Sequence, residues 1–454
     1  MSNSKLAQVD FSTQLLSRIG KKLYLNTELA DVYFVFESKG KPVERVPAHK
    51  TFLIAASDVF ATMFNGSWIE KKEVKIVDTT AKVFKEFLQF FYLDPVTMTT
   101  ENVAKVMKLG HRYNVAECLM VCEKFLKRKL DENNNVECYE LAVLLEQKKL
   151  MESCEKMIGY NAKAVLKSTD FLTCDAKTLS RIVRLNWLSC SEIELFEACM
   201  AWIKSTSGEE IVTKQMVQDK LGRIFYDIRF GSMTLKEFAS LIPSYGELFS
   251  ICEHQDIIQM IADDDFQPKM FNGNRAKRCE VDPSKNKVVV KCNRLISSRR
   301  STLPYFIKNL ETTTFSINEP AFLNGFFSGF FFENRNNQYF NLKEHLSVKI
   351  TIVRMPIAED PSSDGEVVLF EGEQKLGLLA VYVSLPNPIL IKPSSMHEIR
   401  LELNPPRNCA SGLLLKSEVQ MDSDFKVQFH DDPILENDPD VSRGLIWNLK
   451  FYRI

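Results

Sequence analysis

The sequence predicts a multidomain α+β protein, in which a small α/β domain is followed by all-α helical hairpins and then by an antiparallel β-sandwich. Its 454 residues exceed what one hydrophobic core usually organises. Strand and helix signals alternate quickly up to about residue 131, and strand signals then vanish until about residue 262. From about residue 303 the hydrophobic period changes to two, which is typical of strands with one buried face.

An amphipathic helix is predicted at residues 7–24, before any obvious core. Its apolar residues recur at spacings of four, one, three and four, namely Phe11, Leu15, Leu16, Ile19 and Leu23. Such a stripe needs an apolar surface to pack against. Either the same domain or another chain supplies that surface.

The α/β domain is built from short elements between residues 31 and 129. Its predicted strands are Asp31–Glu37, Arg45–Lys50 and Val74–Val77. Its predicted helices carry apolar stripes at residues 52–63, 83–91 and 103–110, and a last helix spans 115–129. Thr79 or Thr80 is expected to cap the second of these helices, and Thr99 or Thr100 the third.

The second half of the chain begins with helical periodicity at residues 135–262, where short polar turns separate amphipathic segments. Residues 269–300 carry ten Lys and Arg against two acidic residues. We interpret residues 263–300 as an accessory linker, because the interleaved aromatics of a nucleic-acid stacking platform are missing. A nuclear-import signal at residues 274–278 is the alternative. Alternating strands follow, and seven Phe between Phe315 and Phe332 are expected to form much of their core.

The composition argues against membrane and nucleic-acid partners. The formal net charge is −1, and the longest apolar stretch, Ala321–Phe332, has 12 residues where a membrane span needs about 20. The polar start also lacks the apolar segment of a signal peptide. Eleven cysteines occur singly without a CxxC pair, which is typical of a reducing compartment. We therefore expect a cytoplasmic protein, with the nucleus as a second location.

Catalytic and metal-binding patterns are missing from the sequence. The six histidines are isolated, and His49 is interpreted as a structural hydrogen-bonding residue. Cys118 and Cys122 lie one helical turn apart, but a zinc site needs two further ligands and none lies nearby in the sequence. No phosphate loop, GxSxG or HExxH motif occurs with its required context. We expect no enzyme activity, no cofactor and no metal.

Four segments between residues 30 and 126 resemble the BTB/POZ domain, namely ADVYFVF, VPAHKTFLIAASDVFATMF, EVKIVDTTAKVFKEFLQFFY and KLGHRYNVAECLMVCEKFL. The helical segments LLEQKKLMESCEKMI and SEIELFEACMAWIK, with IRF and MTLKEFA after them, resemble a BACK domain. The β region resembles a divergent PHR sandwich in TTTFSINEPAFLNGFF, VKITIV, IRLEL and WNLKFYRI, although the Gly-Tyr-rich segment that opens this domain is missing.

This resemblance implies a domain order. Residues 1–22 form an N-terminal dimerisation helix, 23–131 the BTB/POZ domain and 135–262 the BACK domain. Residues 263–300 are the charged linker and 301–454 the PHR-like sandwich.

The resemblance also implies a homodimer. BTB domains dimerise through an N-terminal helix and the first strand, and Phe11, Leu15, Ile19 and Leu23 fit that helix. Asp31 matches the acidic residue near the interface. The alternative is that the apolar residues pack on their own domain.

Cullin-3 is the second partner that the resemblance implies. Related adaptors bind this scaffold through an apolar-x-Glu motif, which matches Trp68-Ile69-Glu70 here, and Tyr113 matches the tyrosine that lines the same groove. The alternative is a tryptophan folded back on its own core. The expected function is therefore a substrate-recognition adaptor of a cullin-3 RING E3 ubiquitin ligase, whose β domain recruits an unknown protein substrate. The alternatives are a BTB scaffold or a transcriptional co-regulator without ligase activity, although the zinc fingers of such co-regulators are missing.

Overall fold

The structure is a computed structural model that describes residues 12–37, 42–65, 72–280, 289–296, 305–329, 332–333, 345–355, 365–377, 381–393, 395–404, 409–411, 414–421, 425–430 and 444–453. The chain divides into two compact units. The N-terminal unit comprises residues 1–126 and 141–147, and the C-terminal unit comprises residues 127–140 and 148–454. None of the described helices is long and apolar enough to cross a membrane.

The described helices are α1 (Ser12–Leu23), α2 (Lys50–Ala56), α3 (Asp58–Asn65), α4 (Ala81–Tyr92), α5 (Val103–Arg112), α6 (Ala116–Lys129), α7 (Asn135–Leu144), α8 (Lys148–Tyr160), α9 (Ala162–Val165), α10 (Thr169–Thr173), α11 (Ala176–Val183), α12 (Glu192–Ser207), α13 (Lys214–Met216), α14 (Leu235–Tyr245) and α15 (Ile251–Ala262). Single turns of π-helix and 3-10 helix at residues 217–232 join α13 to α14.

The described strands are β1 (Val32–Phe36), β2 (Glu44–Ala48), β3 (Glu73–Ile76), β4 (Val289–Asn293), β5 (Tyr305–Phe306), β6 (Leu310–Ile317), β7 (Ala321–Ser328), β8 (Phe332–Glu333), β9 (His345–Arg354), β10 (Val367–Gly377), β11 (Val381–Ile391), β12 (His397–Glu402), β13 (Cys409–Ser411), β14 (Glu418–Gln420), β15 (Lys426–His430) and β16 (Ile446–Arg453). The multidomain α+β prediction is confirmed.

The N-terminal unit has a three-stranded sheet of order β2-β1-β3, in which β1 pairs antiparallel with β2 and parallel with β3. Four of the five residues of strand β1 are buried, and the ring of the fully buried Phe34 packs on Phe60 of α3 and Phe84 of α4. Helix α4 buries the predicted stripe through Val83, Phe84 and Phe87. Strand β3 therefore lies at one edge of the sheet, where its residues can line a surface groove.

The predicted helix at residues 52–63 is two helices, because Ser57 interrupts it. Ser57 adopts an extended conformation between α2 and α3. Its hydroxyl accepts a hydrogen bond from the Phe60 amide (3.2 Å) and donates one to the Tyr113 carbonyl (2.5 Å). Serine competes for backbone groups in this way and so favours a helix start over a helix interior. The sequence pattern alone shows one continuous stripe.

Helix caps agree with the prediction at one site and differ at another. The Thr80 hydroxyl accepts a hydrogen bond from the Val83 amide (3.4 Å) at the start of α4, as predicted. A cap at Thr99 or Thr100 is wrong, because α5 begins at Val103 after Asn102. The buried Asn102 side chain instead donates a hydrogen bond to Glu86 (2.7 Å).

Several helices of the C-terminal unit begin at strong capping residues. Capping boxes, in which a hydroxyl and a glutamate satisfy the first amides reciprocally, start three of its helices at Ser191, Thr234 and Ser250. Phe230 and Phe249 pack at 5.5 Å between ring centroids in an aromatic core. The predicted helical hairpins are present.

The β region consists of antiparallel sheets that share one core. A six-stranded sheet has the order β10-β9-β12-β6-β15-β14, and a four-stranded sheet has the order β11-β7-β16-β4. Ile350 and Ile399 of the first sheet and Phe326 and Phe451 of the second are buried in one hydrophobic cluster. Of the seven phenylalanines, Phe315, Phe322 and Phe326 are buried and Phe327 is half-buried. The side chains of Phe330, Phe331 and Phe332 lie outside the described residues.

Several described residues of the predicted linker at residues 263–300 are buried, and the boundaries of that linker stay a prediction. Phe271 joins the aromatic core at 5.3 Å from Phe230, and β4 belongs to the four-stranded sheet. The Arg278 and Glu192 side chains are 1% and 2% exposed and form an ion pair of 2.9 Å. A run of cations looks solvated in sequence, and only a partner distant in the chain reveals that one of them is buried.

Candidate protein-interaction site

A surface groove lies between α3 and the edge strand β3. It has a volume of about 990 Å³. Its apolar lining is Val59, Met63, Phe64 and Val74, and Asp58, Thr62, Glu73 and Lys75 form its polar margin. An open groove with apolar walls is a shape that suits the apolar face of a partner helix.

The sequence of α3 explains this wall. Phe60 and Phe64 lie one turn apart and are buried in the domain core, whereas Val59 and Met63 lie on an adjacent face and stay half-buried. Strand β3 contributes Val74, which is also half-buried. The groove is thus apolar because it continues the domain core to the surface.

The Trp68-Ile69-Glu70 motif lies in the segment that joins α3 to β3, the two elements that form the groove. These three residues lie outside the described residues. Their role in cullin binding stays a prediction.

Tyr113 lies behind the groove and not on its surface. Its ring stacks on Phe60 at 4.3 Å and on Phe87 at 5.5 Å, and the residue is 4% exposed. Burial raises the pKa of its hydroxyl. Tyr113 therefore supports α3 from the core side, and its predicted part in cullin-3 binding stays a prediction.

Helix α1 packs on α4 through a narrow face. A Cβ atom at Gly20 would lie 1.9 Å from the Tyr92 carbonyl oxygen, so only glycine allows this approach. The Tyr24 hydroxyl donates a hydrogen bond to the Lys85 carbonyl (2.9 Å). These contacts fix which side of α1 faces its own domain.

The apolar stripe of α1 points elsewhere. Leu15 and Ile19 are 48% and 39% exposed, and Leu23 is half-buried. Phe11 lies outside the described residues. Packing on the same domain therefore leaves Leu15 and Ile19 uncovered in the single chain. A role of this stripe in dimerisation stays a prediction.

Asp31 is exposed and has a local role that the sequence analysis missed. Its carboxylate accepts a hydrogen bond from the Lys50 amide (2.8 Å) at the start of α2, where a negative charge also complements the helix dipole. An acidic residue just before a strand gives no sign of the helix that it contacts. This contact does not test the predicted place of Asp31 near a dimer interface, which stays a prediction.

His49 is a structural residue, as predicted. It is buried, and its Nδ1 lies 3.1 Å from the Tyr92 hydroxyl, which also accepts a hydrogen bond from the His49 amide (2.8 Å). Burial lowers the pKa of the imidazole. This arrangement links β2 to α4 and exposes no basic nitrogen to a substrate.

Cys118 and Cys122 are both buried, and their Sγ atoms lie 3.9 Å apart. The hydrogen bond between them and burial raise the pKa of the Cys118 thiol. Within the described residues, no group of three or more His, Cys, Asp or Glu is placed to hold a metal ion.

Two family models match the chain. The BTB/POZ domain model matches residues 21–130, and the BACK model, "BTB And C-terminal Kelch", matches residues 135–243. Proteins with these two domains generally act through protein–protein interaction and dimerisation.

Relatives with similar sequences carry the same domain name. BTB/POZ domain-containing protein 6 of Mus musculus is 32% identical over 222 residues, which cover 48% of this chain and 41% of that protein. BTB/POZ domain-containing protein 3 of Homo sapiens is 30% identical over 238 residues, which cover 52% and 45%. The chain thus spans less than half the length of these relatives.

A solved structure of the BTB domain of human gigaxonin covers 28% of this chain and 98% of its own, at a TM-score of 0.23 and 15% identity.

The two matching family models and the described sheets together define the order of the parts. The chain is therefore a protein with a BTB/POZ domain and a BACK domain in series, followed by a C-terminal antiparallel β region.

Proposed function

We propose that this chain is a non-catalytic adaptor of a cullin-3 RING E3 ubiquitin ligase. In this proposal the chain dimerises through α1, binds cullin-3 at the groove between α3 and β3, and recruits a protein substrate through its β region. The observation that supports it most is the open apolar groove beside the segment that carries Trp68-Ile69-Glu70. The working compartment of such an adaptor is the cytoplasm.

The physical basis of the groove contact is burial of apolar surface. Val59, Met63 and Val74 are half-buried, so a partner helix laid over them removes further apolar area from water. Each Å² so buried contributes about 25 cal/mol. Glu73 and Lys75 at the margin supply charges of both signs, which favour one register of the partner.

The proposal needs no catalytic group in this chain. Ubiquitin transfer in such complexes belongs to the enzymes that the cullin recruits. A dimeric adaptor presents two substrate sites, and two weak contacts then raise the overall affinity without new chemistry.

The test measures binding of the full chain to the purified cullin-3 N-terminal region by isothermal titration calorimetry. We expect a Kd of about 1 μM or lower, and Trp68→Ala to weaken binding by about 2 kcal/mol, the usual cost of an aromatic hot spot. Met63→Glu places a charge on the half-buried groove wall and should weaken binding by a similar amount. Met120→Glu is the matched control, because Met120 is 65% exposed and lies outside the groove.

Two outcomes contradict the ligase role. One is that the folded full chain forms no complex with cullin-3. The other is a complex that Trp68→Ala, Glu70→Lys and Met63→Glu leave unchanged. Either result leaves a BTB-dimer scaffold or a co-regulator without ligase activity as the remaining function, provided that the chain still dimerises.

A further inference from the structure

A second cavity lies within the C-terminal unit, between its helices and its sheets. Its volume is about 510 Å³, which falls in the usual range of ligand pockets. One wall is the end of α8 and the start of α9, and the other comes from the ends of β9, β10 and β11. We call this cavity the helix–sheet cleft.

Two sets of contacts hold the walls of the helix–sheet cleft in place. The Tyr160 ring, at the end of α8, packs on Phe322 at 4.5 Å and on Tyr452 at 5.6 Å. Lys392, which follows β11, forms an ion pair with Glu132 at 3.0 Å. The helical wall and the sheet wall of the cleft are therefore joined by direct contacts.

Cations outnumber acidic residues along this cleft. Lys163, Arg354 and Lys392 line it, whereas Glu132 is its one acidic lining residue among those that the structure describes. Lys163 pairs with Glu194 (2.9 Å), and Lys392 pairs with Glu132. Two of the three cations thus already have an internal partner.

Arg354 is the exception. It is half-buried at the end of β9, and no described residue forms a hydrogen bond or a direct ion pair with its guanidinium, whose charge reaches the Glu132 carboxylate only at longer range. Partial burial of an unpaired charge is unfavourable, and a guanidinium binds a carboxylate through two parallel hydrogen bonds. The geometry of the site therefore favours a carboxylate as the occupant at this end.

The wall beside Arg354 is apolar. Leu369 of β10 is half-buried, and Pro386 and Pro388 of β11 lie within a break in the pairing between β11 and β7. Proline has no amide hydrogen, so this edge of the sheet presents ring surface instead of hydrogen-bond donors. Such a surface suits an apolar side chain and gives a phosphate backbone little to bind.

We propose that the helix–sheet cleft binds an acidic segment of a partner protein. One carboxylate pairs with Arg354, and a neighbouring apolar side chain packs on Leu369, Pro386 and Pro388. One cation without a direct ion pair among the described residues matches one or two carboxylates, whereas nucleic acids require several cations along a track. The identity of this partner as a ligase substrate rests on the proposed adaptor function, but peptide binding is measured without cullin-3.

The probe is a library of random 12-residue peptides displayed on phage and selected on the full chain. We expect enriched sequences to place Asp or Glu beside apolar residues. Synthetic copies of the enriched peptides are then titrated by fluorescence anisotropy. Arg354→Glu should weaken their binding at least tenfold, and Pro386→Asp, at an exposed position, should weaken it through like charge.

The control is Lys375→Glu, an equal charge reversal at an exposed position of β10 outside the cleft, which should change binding less than twofold. Thermal melts of each variant confirm folding. The proposal is overturned if selection enriches no acidic peptides. It is also overturned if binding survives both Arg354→Glu and Pro386→Asp. Loss of cullin-3 binding with peptide binding intact contradicts the adaptor function alone.

Discussion

At the scale of single residues, His397 makes the stability of the β region depend on pH. It is fully buried in β12, opposite Arg354 of β9. Burial, and then the positive charge of Arg354, lowers the pKa of its imidazole to about 4. In the unfolded chain this pKa is about 6.5. Between these values the unfolded chain binds a proton that the folded chain does not.

The free energy of unfolding should therefore fall as pH drops from about 6.5 towards 4, and the contribution of His397 should be complete above that window. We expect a loss on the order of 2 kcal/mol between pH 6.5 and pH 5 from this residue alone. Urea unfolding of the full chain at several pH values measures it. His397→Phe, which keeps a ring beside Phe315, should have a shallower pH dependence. Equal slopes for the two proteins would contradict the prediction.

At the scale of elements, α1 has two faces with different roles. Gly20 and Tyr24 fix it on α4, whereas Leu15 and Ile19 remain exposed. An apolar pair one turn apart on a fixed helix is a surface that a second copy of α1 can cover. The doubly substituted Leu15→Asp, Ile19→Asp chain should therefore be monomeric at micromolar concentration.

Sedimentation equilibrium measures that mass. Wild type should sediment as two chains, and the variant as one, with unchanged circular dichroism because neither side chain contributes to the domain core. Lys21→Asp, an exposed position on the same helix, is the control and should stay dimeric. A monomeric wild type would refute the dimer, and a dimeric double variant would place the interface elsewhere.

Elements with strong periodicity were predictable from the sequence, and those decided by distant partners were not. The stripe of α4 and the cap at Thr80 depend on neighbours within one helix. The break at Ser57 depends on the Tyr113 carbonyl, 56 residues away in the chain. The burial of Arg278 depends in the same way on its contact with Glu192, 86 residues away. A local pattern carries no information about such contacts.

The candidate site also has features that the local sequence predicts and features that depend on distant contacts. The apolar stripe of α1 was predictable from its spacing, whereas the exposure of Leu15 and Ile19 was not, because the same domain or another chain could cover them. The burial of Tyr113 was not predictable, because a tyrosine beside a groove and one stacked behind it on Phe60 have the same sequence signal. Arg354, which forms no direct ion pair with a described residue, was missed as well, because its surroundings are visible only in three dimensions.

At the scale of the whole molecule, the helical and β regions of the C-terminal unit share an aromatic contact. Tyr160 is 4% exposed and packs on Trp187 of the helical region and on Phe322 and Tyr452 of the sheet. Because one side chain serves both cores, its loss should weaken both. Truncating a buried aromatic ring costs about 3 kcal/mol or more.

We therefore expect Tyr160→Ala to lower hydrogen-exchange protection in α8 and, at the same time, in β7 and β16, which carry Phe322 and Tyr452. Tyr245→Ala is the matched control, since Tyr245 packs on Phe196 within the helical region. That control should loosen helices and leave the amides of β7 protected. If Tyr160→Ala changes α8 alone, the two regions unfold independently and the walls of the helix–sheet cleft are not held as one body. If β7 and α8 lose protection together, the two regions unfold as one. A ligand in the helix–sheet cleft contacts both walls, so its binding should then stabilise both regions.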